Sequence, residues 1–323
     1  MLVLVFPGQG SQTPGFLAPW LELPGVGDRL AWYSAVVGED LAAHGTVSDA
    51  DTIRDTAVAQ PLIVAAGLLG LAELVDSPLA LSSVAAAVGG HSVGELTAAA
   101  AVGTLTPEQA LVLVRERGRA MAAAAAATPT GMSAVLGGVR EEVAETLARH
   151  GLVAANDNGG GQVVAAGTLE ALAALAAEPP ARARVIPLQV AGAFHTEHMH
   201  PAVGRLEQLA GGVATAPAVV PVAANADGAL VDDGAEILRR IVAQVSRPVR
   251  WDLCTEAFAS LGVTAIIEVP PAGTLTNLAK RQLKGVETLA LKSPDDLDRA
   301  RAMIAEHGTV PEAAPVTTVP EGV

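Results

Sequence analysis

The sequence predicts an α/β fold: a mostly parallel sheet with helices on both faces, into which a smaller α+β unit is inserted. Three observations carry this. Short apolar runs stopped by Gly or Pro alternate with longer helical stretches. One strand–turn–helix joint reads Gly90-His91-Ser92-Val93-Gly94. Between residues 128 and 188 the order changes to β-α-β-β-α-β, that of a ferredoxin-like unit.

Each element has a local reason. Leu2–Phe6 is an apolar run ended by Pro7-Gly8, in the style of a strand buried on both faces. A polar loop, Gly8 to Gln12, follows it. Gln60–Leu74 is helical and apolar nearly all round, so it must be packed on several sides. Val84–Val88 is apolar and leads into the Ser92 turn, and Glu95–Val102 continues as helix. Thr106-Pro107-Glu108-Gln109 starts a helix with a cap, a first-turn proline and a capping box. Its stripe Leu111, Val114, Gly118 and Met121 faces inward, and its poly-Ala run ends at Thr128-Pro129.

The inserted unit comprises strands at Met132–Leu136, Leu152–Asn156, Gln162–Ala166 and Ala183–Leu188, with helices at Arg140–His150 and Leu169–Ala177. The main fold then resumes. Helices are expected at Pro201–Leu209, Gly234–Val245, Leu253–Leu261 and Leu275–Leu283, and strands at Val219–Ala223 and Ala265–Val269. The resulting division is a core of 1–127 and 189–309, a subdomain of 128–188 and a flexible tail of 310–323.

Composition bounds the function. The 323 residues suffice for a sizeable core, and 50% apolar with 17% charged residues excludes general disorder. With 20 basic and 34 acidic residues the net charge is -14, which disfavours a nucleic-acid surface over the whole protein. One Cys excludes an internal disulfide and a Cys-cluster metal site. No apolar run is long enough to span a bilayer, and the N-terminus has no basic leader. The expectation is a cytoplasmic protein without membrane or nucleic-acid partners.

The chemistry starts at Ser92. Gly-x-Ser-x-Gly between strand and helix is the nucleophile elbow of serine acyl chemistry: the glycines permit a turn too tight for side chains, and the N–H of Val93 can stabilise an oxyanion. Of seven His, His195 is the candidate base, because it follows the Ala183–Leu188 strand where active sites of open α/β sheets gather. His91 adjoins the nucleophile and is turned away from it, as a pocket residue. Glu197, His198 and His200 lack the spacing of a metal site, and no metal is expected. Asp157 is a formal third member but sits in the Asn158-Gly159-Gly160-Gly161 turn; a backbone carbonyl would orient the imidazole equally well. Arg115, Arg117 and Arg119 share one helix, with Arg117 about 200° from the other two. An arginine aimed into an acyl pocket would hold a substrate carboxylate. Arg115 and Arg119 are better read as surface charge.

The segments Phe6-Pro7-Gly8-Gln9-Gly10-Ser11-Gln12, Gly90-His91-Ser92-Val93-Gly94-Glu95 and Gly192-Ala193-Phe194-His195-Thr196 resemble the malonyl-CoA:acyl carrier protein transacylases of type II fatty acid and polyketide synthesis. The resemblance spans roughly residues 2 to 290. It implies an α/β-hydrolase-like core with a ferredoxin-like insert, and transfer of malonyl from malonyl-CoA to the phosphopantetheine thiol of a holo acyl carrier protein, without a bound cofactor. By resemblance Ser92 is the nucleophile, His195 the base and Arg117 the malonate-binding residue. Gln9 and Val93 supply the oxyanion-hole N–H groups, and Arg250, in Arg247-Pro248-Val249-Arg250-Trp251, offers the carbonyl that orients the histidine. Asn156 and Asn158 match the inner loop of the subdomain. Phe194, in Ala-Phe-His, goes with malonyl rather than methylmalonyl.

Lys280, Arg281 and Lys284 are the expected docking residues for an acidic carrier, with Arg182, Arg184 and Arg250 as weaker candidates. A monomer is expected. The chain departs from the family pattern at Arg250, Pro270, Ala272, Asn277, Ala191 and His200, and the loss of two glycines near Pro270 would cost stability if either needed positive φ. A serine thioesterase using the same pair, a polyketide acyltransferase of broader range and a non-catalytic scaffold remain alternatives.

Overall fold

Leu2–Phe6 (β1) is buried along its whole length, and its alternate residues serve different cores: Leu2, Leu4 and Phe6 enter one apolar cluster, Val3 and Val5 the other. The computed structural model, which describes residues 1–190 and 192–308, places this strand centrally in a six-stranded sheet. The expected tail at 310–323 and Ala191 lie outside the described residues.

The other strands are β2 (Ala87–Gly90), β3 (Thr130–Gly137), β4 (Val153–Asp157), β5 (Gln162–Thr168), β6 (Ala183–Pro187), β7 (Val222–Ala223), β8 (Leu230–Val231), β9 (Val249–Arg250), β10 (Ala265–Glu268) and β11 (Glu287–Ala290). The main sheet runs β11-β10-β1-β2-β7-β8. All its pairings are parallel except that of β8, which folds back on β7. One face is covered by helices that include Thr56–Ala72 and Pro107–Ala127, the other by Trp251–Ser260 and Thr274–Gln282. The fold is therefore α/β, as the alternation of runs predicts.

The second sheet runs β6-β3-β5-β4-β9. Its first four strands are antiparallel, and in their own chain order they read 4-1-3-2, the arrangement a β-α-β-β-α-β unit adopts. Helices Arg140–Arg149 and Leu169–Ala177 cover one face, packing Leu147, Leu172 and Leu175 over Val135 and Ala165. From the opposite face Met132 and Val164 join the main apolar cluster. The sequence leaves β9 unassigned. It is two residues long, belongs to the chain after 189 and pairs parallel with β4, so the main fold contributes an edge to the second sheet.

Element boundaries shift where the pattern was ambiguous. The strand before the elbow occupies 87–90 rather than 84–88, because Val84 and Ala85 close a turn on Leu81. β7 keeps only two of five expected residues, since Val219 bonds to Val102 outside the sheet. The helices Val26–Val37 and Leu297–His307 have no counterpart among the elements expected from sequence. The capping box at Thr106 and Gln109 is present, and Leu111, Val114, Gly118 and Met121 are all buried.

Candidate active site

The elbow is built by close approach. A Cβ on Gly90 would lie 2.1 Å from the Gly94 carbonyl carbon, and one on Gly94 would lie 2.2 Å from the Phe6 carbonyl oxygen. Neither glycine has positive φ, so it is space rather than backbone conformation that excludes a side chain. Ser92 between them carries the strain, with φ 53°, and His195 is likewise at φ 63°. Left-handed backbone at a non-glycine residue costs about 1–3 kcal/mol and persists only where the surroundings over-determine it.

Those surroundings are visible at both residues. The Ser92 N–H donates to Asn225 Oδ1 at 2.8 Å, and Asn225 Nδ2 donates to the Gly90 carbonyl at 2.7 Å, so one buried asparagine staples both sides of the turn. The His195 loop is pinned by Ala193 N–H on Thr130 Oγ1 at 3.0 Å and by Thr196 Oγ1 on the Ala193 carbonyl at 2.7 Å. Ser92 Oγ then lies 2.7 Å from His195 Nε2.

His195 Nδ1 meets a backbone carbonyl, but not that of Arg250. Its partner is the Gln244 carbonyl at 2.9 Å. The reason is helical: Gln244 ends helix Gly234–Gln244, and its carbonyl is one of those a helix C-terminus leaves without an intrahelical partner. The negative end of the helix dipole also favours the imidazolium that forms when the ring takes a proton. Arg250 begins the next helix instead. Its guanidinium makes two 2.8 Å bonds to Asp252, which also holds Arg140. Arg250 is therefore neither the orienting residue nor a free docking cation. Asp157 pairs with Arg140 in the same cluster and does not reach His195.

Arg117 is 2% exposed, deep in helix Pro107–Ala127. Its Nη1 donates to Gln60 Oε1 at 2.7 Å, and its Nη2 to Gln244 Oε1 at 2.9 Å and to Ser92 Oγ at 3.2 Å. Nε has no partner among the described residues. Its helix neighbours turn outward as expected: Arg115 pairs with Glu116 and Arg119 with Glu39. Burial lowers the Arg117 pKa to about 10, opposed by Glu95, and the group stays cationic at neutral pH. Burial, and then the charge of Arg117, hold His195 far below the usual imidazole range, at about 3. The imidazole is thus neutral and able to accept a proton.

Gln9 and Val93 both line the cavity beside Ser92. Among the described residues neither backbone N–H is engaged in a hydrogen bond, whereas the Ser92 N–H is. The Gln9 side chain points elsewhere, to the Arg54 carbonyl and Thr56 Oγ1. The cavity measures about 260 Å³. Met121, Met132, Val164, Leu188, Val190 and Phe194 make its apolar walls. His91 lines it too, bonded through Nε2 to Asn158 Oδ1 at 2.9 Å and set edge-on to Trp251 at 5.7 Å. Asn156 and Asn158 reach the same cavity from the second sheet.

Helix Thr274–Gln282 borders the cavity with its first half. Thr274, Leu275 and Leu278 face the cavity, while Lys280, Arg281 and, just beyond the helix, Lys284 are exposed. The helix start is fixed by buried Glu268, which accepts the N–H groups of Gly273, Thr274, Leu275 and Thr276 at 2.8–3.1 Å. In this loop only Gly273 has positive φ, so Pro270 and Ala272 do not carry the strain that lost glycines would have implied. Pro270 packs instead against Gly70, where a Cβ would meet its ring at 2.3 Å. His200 and Asn277 are exposed and outside the cavity. Arg182 and Arg184 are exposed at the start of edge strand β6.

Gln60, Asn225, Gln244 and Glu95 are the residues that sequence reasoning missed. Gln244 had a partial signal, since the last carbonyls of a helix need partners. The choice of His195 as that partner required the fold.

A neutral imidazole on a serine hydroxyl, with free N–H groups beside it, equips a protein to form and break an ester at that serine, which is the chemistry of acyl transfer. The chain belongs to the acyl transferase domain family, whose match covers residues 3–305. It is 51% identical over 298 residues to the malonyl CoA-acyl carrier protein transacylase of Mycobacterium tuberculosis, covering 92% of this chain and 98% of the relative. The Escherichia coli protein of the same name is 33% identical, covering 92% and 97%. The crystal structure of the Mycobacterium tuberculosis enzyme superposes with a TM-score of 0.90 at 50% identity, over 93% of this chain and 99% of that one. A malonyl-transacylase solved in complex with a type II PKS acyl carrier protein gives 0.84 at 29% identity, over 93% and 99%.

Proposed function

We propose that this protein transfers malonyl from malonyl-CoA to the phosphopantetheine thiol of an acyl carrier protein, through a malonyl ester of Ser92. The observation that carries the reading is Arg117 Nη2 lying 3.2 Å from the hydroxyl that His195 activates. A buried cation at that distance suits an acyl group whose far end is a carboxylate.

In the first half-reaction His195 Nε2 takes the Ser92 proton as Oγ attacks the thioester carbonyl carbon. The carbonyl oxygen accepts the electron pair and rests on the N–H groups of Gln9 and Val93. The carbonyl re-forms, the C–S bond breaks, and CoA leaves with the proton from His195. Arg117 exchanges a neutral partner for the malonyl carboxylate. In the second half-reaction the carrier thiol gives its proton to His195 and attacks the ester, and Ser92 leaves and is reprotonated. The order is ping-pong.

Arg117 also supports the preference for malonyl over acetyl, by a route different from a bare charge waiting for its ligand. Gln60, Gln244 and Ser92 already satisfy part of it. The gain from malonyl is the exchange of neutral acceptors for an ionised one, and charge-assisted bonds are roughly twice as strong as neutral ones. The bulk of Phe194 in the cavity wall disfavours a branched extender.

The acidic carrier docks on Lys280, Arg281 and Lys284. The chain's lysines are these two and Lys292, which lies against Gly273 at the other end of the same helix. A carrier of a polyketide pathway is a second reading, favoured by the likeness to the transacylase solved with such a carrier. We assign the chemistry to a core of 1–127 and 189–309 and the facing wall to a subdomain of 128–188. No described helix is long and apolar enough to cross a membrane. The substrates point to the cytoplasm, and a single chain supplies Ser92, His195 and Arg117, in keeping with a monomer.

The test is intact mass after incubation with malonyl-CoA. A malonyl adduct should form on the wild type, be absent from Ser92→Ala, and discharge onto holo carrier protein. Discharge to free malonate at the same rate with and without carrier would mean a hydrolase instead.

A further inference from the structure

Behind the Ser–His pair runs a chain of buried groups that the reaction steps do not use. Glu95, in the first turn of helix Gly94–Ala101, is 3% exposed. Its Oε1 accepts the Asn225 N–H at 2.7 Å, and its Oε2 accepts from the side-chain amide of Gln244. That amide nitrogen also lies 3.1 Å from the Ser92 carbonyl and 3.1 Å from Asn225 Oδ1. All its neighbours are therefore acceptors. The other end of the amide, Gln244 Oε1, faces Arg117 Nη2 at 2.9 Å.

A side-chain amide has nearly the same shape after a half-turn, so its direction is set by the polarity of what surrounds it. A carboxylate is acceptor-only and demands the NH₂ end. With that end held, the carbonyl end can only point at Arg117. Were the amide reversed, an N–H would face a guanidinium N–H, and Arg117 would lose the partner that aims it at Ser92.

We infer that Glu95 is a positioning residue for substrate selection: by fixing the direction of the Gln244 amide it keeps Arg117 aimed at the acyl group on Ser92, and so sets the preference for malonyl over acetyl. This rests on the malonyl-transfer reading and extends it to a residue that touches neither substrate nor nucleophile side chain. Gln244 thereby has two separate duties, its backbone carbonyl serving His195 and its side chain serving Arg117. Burial pushes the Glu95 carboxyl up to about 7. Both of its oxygens face donors, which is the geometry of the ionised form, so the test belongs at about pH 8.

The experiment measures Ser92 acylation by malonyl-CoA and by acetyl-CoA under rapid quench, for wild type, Glu95→Gln, Gln244→Met and the double variant, with thermal melts on each. Glu95→Gln puts an NH₂ against the Gln244 amide. The expected result is a fall of tenfold or more in the malonyl-to-acetyl ratio of kcat/KM. Gln244→Met keeps the backbone carbonyl and removes the relay, and should give a similar fall. The double variant should match Gln244→Met, because a relay once cut cannot be cut again. An unchanged ratio in folded Glu95→Gln, or equal losses for both substrates, overturns the inference and leaves Glu95 a packing residue. If Glu95→Gln does not fold, Glu95→Asp, which withdraws the carboxylate from the Gln244 amide by one methylene, replaces it: a lowered ratio supports the inference and an unchanged ratio overturns it. Failure of the wild type to form a malonyl adduct at all would instead break the transfer reading.

Discussion

The two walls of the cleft are held in different ways. On the main-sheet side Ser92, His195, Arg117, Gln244, Asn225 and Glu95 form one buried hydrogen-bonded network, each with at least two partners. On the second-sheet side the wall mixes Met132, Val164 and Leu188 with Asn156, Asn158 and Gln162, and individual polar bonds tie it to the main fold. His91 bonds Asn158, Gln282 bonds the Asn158 carbonyl at 2.8 Å, Ala193 bonds Thr130, Arg140 bonds Asp252, and β9 adds its edge. Acyl transfer needs atoms fixed to fractions of an ångström, and interlocking buried polar groups supply that. A wall that shapes the acyl group can mix apolar and polar side chains and be held by separate bonds.

The largest break of this comparison is removal of the reacting pair. Ser92→Ala should abolish the malonyl adduct in intact-mass measurement, and His195→Ala should slow acylation by ~10²–10⁴-fold, as for loss of a general base. Retention of a stoichiometric adduct in Ser92→Ala would move the nucleophile elsewhere. Arg117→Ala should come next: malonyl transfer falls ~10²-fold or more, in line with the ~1.5–3 kcal/mol that a hydrogen bond to a charged group contributes. Acetyl transfer should fall less or rise, and equal losses would remove Arg117 from the carboxylate role. Replacing Lys280, Arg281 and Lys284 with Glu should raise the KM for carrier protein by ~10-fold, with acylation by malonyl-CoA unchanged, because rim charges act on encounter rather than chemistry. Loss of the CoA half-reaction in the same variant would place these cations on CoA.

His195 gives a prediction in pH. Its folded-state pKa is depressed to about 3, so the neutral ring favours the fold. That contribution is fully present above the unfolded value of about 6.5 and is lost as pH falls from there toward the folded value. NMR of the His195 ring should show no protonation between about pH 8 and 5, and a midpoint near 6.5 would mean that the cavity is wet. The smallest effect is expected from Arg250→Gln. Its side chain is 35% exposed and Asp252 keeps Arg140 as a partner, so stability should drop by only ~1 kcal/mol and acylation should not change. A large kinetic loss would restore this residue to the site.

Much of this was legible in order along the chain. Ser92 could be read because a tight turn between strand and helix leaves its signature in adjacent residues. Thr106 and Gln109 could be read because capping is local chemistry. Arg117 was separable from Arg115 and Arg119 by helical angle alone. Gln244 was not, because nothing near it in sequence says that its carbonyl will meet a histidine 49 positions away. The assignment to Arg250 rested on the resemblance of Arg247-Pro248-Val249-Arg250-Trp251 to a family motif, and the carbonyl that meets the imidazole lies in the helix before that motif, at Gln244.

The sequence by itself determined the α/β class and singled out the Ser92 turn, His195 and the inward position of Arg117, since periodicity, turn chemistry and caps act over a few residues. Only the tertiary structure decided which carbonyl holds the imidazole, which amide aims the guanidinium, and that the main fold lends a strand to the second sheet. Those are meetings between segments scores of residues apart, and burial is what makes them binding. A polar group removed from water must find a partner among whatever the fold brings near, and that choice is written in three dimensions.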